Sequence, residues 1–195
     1  MPKSRLESLT DLIFGLALSI GAVSLLSKPP STPSEVVADI AGFGFSFLIL
    51  IQIWFRYTSV MSVLPIETRG TILLNVLMLF LVSVEPYLLS LLTSGSSGDV
   101  SVFVSEIYAF DLTGLTLILG VFSHQMAVER PDLLEPEMAG KYRRLRNVQY
   151  CMAALFALSA APIFWSWEIL GTHVRFILWY AVLIFMLGSR LNRSR

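Results

Sequence analysis

The stretch 71–93 reads TILLNVLMLFLVSVEPYLLSLLT and contains a single charged residue, Glu85. About 20 consecutive apolar residues are enough for an α-helix to cross the hydrocarbon core of a bilayer, so this stretch predicts a transmembrane helix. Five further stretches of the chain have the same character. They predict spans at approximately 9–27, 36–58, 101–125, 147–167 and 173–190. We therefore predict an all-α membrane protein of six transmembrane helices, forming one domain over residues 1–195.

Composition agrees with lipid as the solvent of this chain. Of its 195 residues, 55% are hydrophobic and only 14% are charged, whereas a soluble domain carries about 25% charged residues. Mean hydropathy is +0.71. The formal net charge of zero gives no basic patch for nucleic acid. The single cysteine, Cys151, excludes an internal disulfide.

Enzyme signatures are missing from the sequence. It has no glycine-rich phosphate loop, no G-x-S-x-G motif and no His/Cys cluster with metal-ligand spacing. We therefore predict neither catalysis nor a cofactor nor a resident metal.

Lys and Arg residues in the short loops predict the orientation. Of the 14 basic residues, all but Lys28 and Arg175 fall on the side of the N-terminus. Cytoplasmic loops carry such an excess, so we expect both termini in the cytoplasm of a cell-membrane protein. The basic residues between Lys141 and Arg146 are then a topology signal, although such clusters also attract anionic lipid headgroups.

Polar residues inside the spans are the first candidates for a functional site. Asp11, Trp54 and Asn75 fall at a similar depth near the cytoplasmic ends of the first three spans. An indole N–H and a carboxamide both suit a carboxylate, so a hydrogen-bonded network between three helices is one reading. In the other reading Trp54 is an interfacial anchor and Asn75 an ordinary packing residue.

Residues 5–11, RLESLTD, resemble the R-x-x-x-F-S-D signature that opens the first helix in the transmembrane protein 175 family of potassium channels. The third span is also similar to that family's third helix, with its early Asn75 and its Ser83-x-x-Pro86 exit. The second span matches more weakly. Leu9 and Thr10 replace the phenylalanine and serine of the signature. The resemblance implies that Arg5, Thr10 and Asp11 tether the first helix.

The same resemblance implies a homotetramer in which four copies of the first helix line a pore. Leu16, Ile20 and Val23 stand at the family's apolar pore positions, with Ser19 where the family has a threonine. Their spacing of i, i+4 and i+7 also places the three apolar residues on one stripe of a helix. Potassium would pass close to Leu16 and Ser19. The stripe is equally typical of lipid-facing or packed residues, and Gly15, Ser19 and Ala22 could instead mark a close helix contact.

Three further ionisable residues have open roles. Asp111 falls near the middle of the fourth span, and Glu85 directly precedes Pro86. A carboxylate inside a membrane is costly and faces protein or water, so each could relay protons or be a hydrogen-bonded structural group. His124, near the end of the fourth span, could titrate near neutral pH.

The leading prediction is a potassium-preferring channel without catalysis, whose partners are three further copies of the chain and membrane lipid. A proton- or ion-coupled transporter using Asp11, Glu85 and Asp111 is the alternative. A third possibility is a passive assembly partner. The chain has no Thr-Val-Gly-Tyr-Gly sequence, so a conventional carbonyl selectivity filter is excluded.

Overall fold

The structure, a computed structural model, describes residues 3–26, 30–64, 68–93, 98–129, 136–169 and 171–191. Its helices and strands are α1 (Lys3–Ser24), α2 (Pro33–Met61), α3 (Arg69–Thr93), α4 (Asp99–His124), α5 (Pro136–Ser159), α6 (Ile163–Ser166), β1 (Glu168–Ile169), β2 (Thr172–His173) and α7 (Val174–Leu191). One π-helical turn, Gln125–Glu129, extends α4. Lys28, Arg130, Arg193 and Arg195, which contributed to the predicted orientation, lie outside the described residues.

Among the described residues, four helices are long and apolar enough to cross a membrane, by length and composition: Arg5–Ser24, Pro33–Met61, Arg69–Thr93 and Asp99–Val128. Within the described residues α7 is a shorter apolar helix, Val174–Gly188. The four helices coincide with the first four predicted stretches. The fifth and sixth crossings remain predictions.

The start of α2 illustrates how sequence sets a helix end. Thr32 has extended backbone angles, and its side chain accepts a hydrogen bond from the Glu35 amide. The Glu35 carboxylate in turn accepts from the Ser31 amide at 2.7 Å. Pro33 occupies the first helical turn, where a missing N–H costs nothing. These contacts satisfy N–H groups that would otherwise lack partners.

α5 begins earlier than the predicted fifth span, which was expected to start near residue 147. The helix already begins at Pro136. Its first turns carry an apolar stripe that the dense charge conceals, because Lys141, Arg143 and Arg144 are exposed on the opposite face. The stripe recurs every three or four residues, as a helix requires. Its members are Met138, Tyr142, Leu145, Gln149, Met152 and Phe156, of which all but Met138 are buried.

The predicted span 147–167 also ends earlier than expected, because α5 stops at Ser159. Arg175, at the start of α7, reaches back to the carbonyls that end α5. Its guanidinium donates to the Ser159 oxygen at 2.7 Å, to Ala160 at 2.9 Å and to Ala161 at 3.1 Å. It also bonds Ser105 of α4. A basic side chain that satisfies the last carbonyls of a helix stabilises that end.

α6 and an antiparallel hairpin fill the gap between α5 and α7. Glu168 pairs with His173 and Ile169 with Thr172. Gly171 has a φ of 75°, a value that glycine adopts without strain. We call this side of the molecule, where α2 and α4 begin, α3 ends and the hairpin lies, the hairpin end.

α4 lies at the centre of the bundle. It packs against α3 on one side and against α5 on the other, while α1 rests on α2 and α3, and α7 on α2 and α5. The backbone of α4 approaches α5 closely at Gly120, where an added Cβ would lie 2.5 Å from Cε1 of Tyr150. Leu112, Leu115 and Phe122 are buried on the same helix.

We expect Arg175→Met to destabilise the fold. The change removes the donors of three buried or partly buried carbonyls and of the Ser105 hydroxyl, and each acceptor left buried without a donor costs roughly 1–3 kcal/mol. Thermal unfolding of the purified protein in detergent measures the effect. Arg143→Met, at an exposed position of α5, is the matched control and should leave the midpoint unchanged. Equal midpoints for both variants would contradict a structural role for Arg175.

Candidate functional site

α1 presents two different faces. One face is buried against the neighbouring helices and contains Leu6, Thr10, Phe14 and Ala17, at the spacing of a single helical stripe. The other face carries the predicted pore residues. Leu16, Ile20 and Val23 remain 56%, 47% and 63% exposed within one chain, and Ser19 is exposed beside them.

Asp11 and Trp54 meet as a hydrogen-bonded pair between α1 and α2. The indole Nε1 of Trp54 donates to Oδ1 of Asp11 at 2.8 Å. A donor to a carboxylate makes one of the stronger hydrogen bonds, so this contact ties α1 to α2 at the level where the sequence predicted a network.

Thr10 makes a second tie one residue earlier. Its buried hydroxyl donates to the Leu6 carbonyl at 2.9 Å and lies 3.2 Å from the hydroxyl of Tyr57. Sequence reasoning did not include Tyr57 in the site. Its position three residues after Trp54, on the same face of α2, was the available signal.

Asn75 and Arg5 do not join these contacts. Asn75 is fully buried, but neither its amide nitrogen nor its oxygen has a hydrogen-bond partner among the described residues. The structure therefore brings two of the three helices of the predicted network together through side-chain bonds. Arg5 is exposed, and the described residues include no hydrogen bond or ion pair to it.

The Ser19 hydroxyl makes a hydrogen bond within its own helix. Oγ donates to the Gly15 carbonyl one turn earlier, at 2.8 Å. The hydroxyl oxygen keeps acceptor capacity on the exposed face. A Cβ added to Gly15 would meet nothing within 4 Å, so no close helix contact within one chain requires glycine at this position.

Glu85 belongs to a separate polar cluster between α2, α3 and α4. Its buried carboxylate accepts from Ser46 Oγ at 2.7 Å and from the Tyr108 hydroxyl at 2.6 Å. Asp111, one turn after Tyr108, is also buried, and neither of its oxygens has a hydrogen-bond partner among the described residues. Glu85 thus has the structural partners of a helix-packing residue.

His124 lies elsewhere, at the end of α4. Its Nδ1 is 3.5 Å from a guanidinium nitrogen of Arg146 on α5. The described part of the chain contains no group of three or more His, Cys, Asp or Glu that could hold a metal ion.

Residues 5–86 match the sequence pattern of the family described as endosomal/lysosomal potassium channel TMEM175. A Marivirga tractuosa protein named "Potassium channel" is 30% identical over 129 residues. Over residues 5–86, the chain is therefore similar to this family. The matched region contains nearly all of α1, both ties between α1 and α2, and most of α3 with Glu85.

Solved structures show the same fold over nearly the whole chain. A crystal structure of a lysosomal potassium-selective channel TMEM175 homolog from Chamaesiphon minutus superposes with a TM-score of 0.66, covering 96% of this chain and 97% of that chain at 15% identity. A crystal structure of the potassium channel MtTMEM175 T38A variant, bound to a nanobody-MBP fusion, gives 0.69, covering 98% and 94% at 18% identity. The alignment with the Marivirga relative covers 63% of this chain but only 48% of the relative, so the chain spans about half the length of that protein.

We expect a double-mutant cycle on Trp54→Phe and Asp11→Ala to give a coupling energy of about 0.5–1.5 kcal/mol, the range for a single hydrogen bond between helices. Phenylalanine keeps most of the ring but removes the N–H that reaches Asp11. The coupling is read from unfolding midpoints of the wild type, both single variants and the double variant. Trp167→Phe removes the same N–H from an exposed ring and should show no coupling to Asp11. Additive effects of Trp54→Phe and Asp11→Ala would contradict the tie.

Proposed function

We propose that this protein is a potassium-preferring ion channel, built as a homotetramer whose four α1 helices surround a central pore. The main observation in support of this proposal is the exposed face of α1. One chain leaves Leu16, Ser19, Ile20 and Val23 uncovered although the opposite face of the same helix is buried. The match of residues 5–86 to the TMEM175 family and the similarity to a relative named "Potassium channel" support the same function.

The exposed stripe has the dimensions of a pore constriction. From Leu16 to Val23 an α-helix rises about 10 Å. Under fourfold symmetry each residue becomes a ring, and stacked apolar rings block ions by dewetting when they are narrow. Potassium would pass Leu16 and Ser19 transiently and passively, with its preference set by pore width and by the cost of dehydration.

In such a pore, the hydrogen bonds between α1 and α2 would hold the start of each pore-lining helix in place. Thr10 and Asp11 attach the first turns of α1 to Tyr57 and Trp54, whereas the residues of the stripe follow one or more turns later. In the proposed channel, α1 tilts about this fixed start when the pore opens. A conducting state requires this kind of splaying, because a narrow apolar ring otherwise stays dry.

In the proposed arrangement the chain crosses the cell membrane six times, with α5 and α7 as the last two crossings and both termini in the cytoplasm. The exposed side chains of Lys141, Arg143 and Arg144 support this orientation. They are also exposed to anionic lipid headgroups.

The transporter alternative draws less support from the geometry. Glu85 is bonded to Ser46 and Tyr108, while Asp11 pairs with Trp54 on the exposed side of α1. A coupled transporter would show saturable flux that depends on a proton gradient, which passive conduction does not require.

We expect Leu16→Ala and Ile20→Ala to raise cation flux or to lower the ratio of potassium to sodium flux. Truncation widens the apolar ring, and a barrier lowered by ~1.4 kcal/mol corresponds to roughly tenfold faster passage. Potassium, sodium and caesium fluxes through purified protein in liposomes measure the effect. Leu158→Ala on α5 and Ile184→Ala on α7 are matched controls, because these residues are also exposed in one chain but lie off the stripe.

Flux indifferent to both α1 variants, or altered equally by the controls, would remove the pore from α1. No flux above empty liposomes for any variant would contradict the channel and favour a passive assembly partner.

The proposed assembly is checked independently of conduction. We expect native mass spectrometry of the detergent-solubilised protein to give four times the mass of one chain, since a single exposed stripe cannot enclose a pore. A monomer, dimer or trimer as the main species would contradict the fourfold pore even where flux is measured.

A further inference from the structure

A cavity of about 420 Å³ opens at the hairpin end. Its described lining residues come from α2, α3, α4, β2 and α7, and none comes from α1. Pockets of this size, between about 300 and 1,000 Å³, commonly hold small ligands.

Five aromatic side chains line the cavity. Phe45 and Tyr180 approach to 4.8 Å between ring centroids, Tyr108 and Trp179 to 5.1 Å, and Phe176 and Trp179 to 5.3 Å. Phe45, Tyr108 and Trp179 are buried in the core. The aromatic wall is therefore formed before any ligand arrives.

Tyr180 borders the open side of this wall. It is 40% exposed, and its hydroxyl donates to the Ala41 carbonyl of α2 at 3.3 Å. This bond holds the ring across the space between α7 and α2. Tyr180 can be replaced with less damage to the core than its buried neighbours.

Asp39 is the one acidic or basic side chain among the described lining residues. Arg175, a positive charge at the same end of the described structure, is buried and donates its N–H groups to the carbonyls at the end of α5 and to Ser105. Other acids at the hairpin end are Glu35, Asp99, Glu106 and Glu168. Such a surface attracts cations.

Aromatic faces and a carboxylate together select one ligand chemistry. Aromatic rings attract cations, most strongly where water is displaced, and they recognise quaternary ammonium groups in this way. A small inorganic ion would lose its water in this mostly apolar cavity, at a cost that few oxygen ligands offset. An alkylammonium ion brings its own apolar surface.

We propose that the cavity lined by Asp39, Phe45, Tyr108, Phe176, Trp179 and Tyr180 binds a free organic ammonium ion with apolar substituents. Asp39 supplies the counter-charge and the rings enclose the alkyl groups. These six residues come from three helices, α2, α4 and α7, and none comes from α1, so the site is distinct from the proposed pore.

The test compares choline with its uncharged isostere 3,3-dimethylbutan-1-ol on the full-length protein in maltoside micelles, which contain no ammonium group. We expect saturable choline binding by calorimetry, a raised unfolding midpoint, and binding of the isostere about tenfold weaker or less. Asp39→Asn and Tyr180→Leu should each weaken choline binding by about tenfold. Asp99→Asn, which removes a nearby charge outside the cavity, and Ile20→Ala on the pore stripe should leave the dissociation constant unchanged.

Equal binding of choline and the isostere by the wild type would overturn the proposal. This comparison needs no variant, so it tests the proposal even if a variant fails to fold. Absence of saturable choline binding, or a loss as large in Asp99→Asn as in Asp39→Asn, would overturn it as well. Weakening by Ile20→Ala would move the ammonium ion to the pore stripe. None of these measurements depends on ion conduction, so they separate this site from the channel.

Discussion

Polar groups inside a bilayer must find their partners within the protein, since lipid offers no hydrogen bonds. Several buried polar groups of the bundle meet this constraint with side-chain bonds between helices, whereas Asn75 and Asp111 have no hydrogen-bond partner among the described residues. Asp11 is bonded to Trp54, Glu85 to Ser46 and Tyr108, and Arg175 to the end of α5 and to Ser105. Each of these contacts joins two different helices or the ends of two helices. Together they fix how α1, α2, α3, α4, α5 and α7 are arranged.

α1 has one face that is bonded and packed against the neighbouring helices and another face that is exposed within one chain. Thr10 and Asp11 are held in the first turns, and Phe14 and Ala17 pack inward. The opposite stripe has no cover within one chain. In a membrane such a face meets lipid, another subunit or water, and the proposed tetramer would turn it into the apolar wall of a pore on a symmetry axis.

The hairpin end has a different character from the end at which Thr10 and Asp11 lie. At the hairpin end, Arg175 donates hydrogen bonds to the carbonyls at the end of α5. Its Cζ atom lies 5.6 Å from the centroid of the Trp165 ring. Buried aromatic residues then surround an open volume beside Asp39. Aromatic rings beside one carboxylate can bind an organic cation, whereas the apolar stripe of α1 offers neither aromatic rings nor a carboxylate.

The sequence by itself determined the class of protein and much of the first three helices. Long apolar runs predict spans because backbone groups in lipid must bond internally, and RLESLTD at residues 5–11 indicated the family. The common depth of Asp11 and Trp54 made their pairing one of two readings, and the structure shows the bond between them. Only the tertiary structure decided that Asn75 stays without a partner among the described residues, that Tyr57 bonds Thr10, and that Arg175 is buried. Sequence gives the depth of a residue along a helix, whereas the rotation of that helix against its neighbours depends on the packing of every side chain between them. The same limit hid the start of α5, where charges on one face masked the apolar stripe of Tyr142, Leu145 and Met152 that packs on the other.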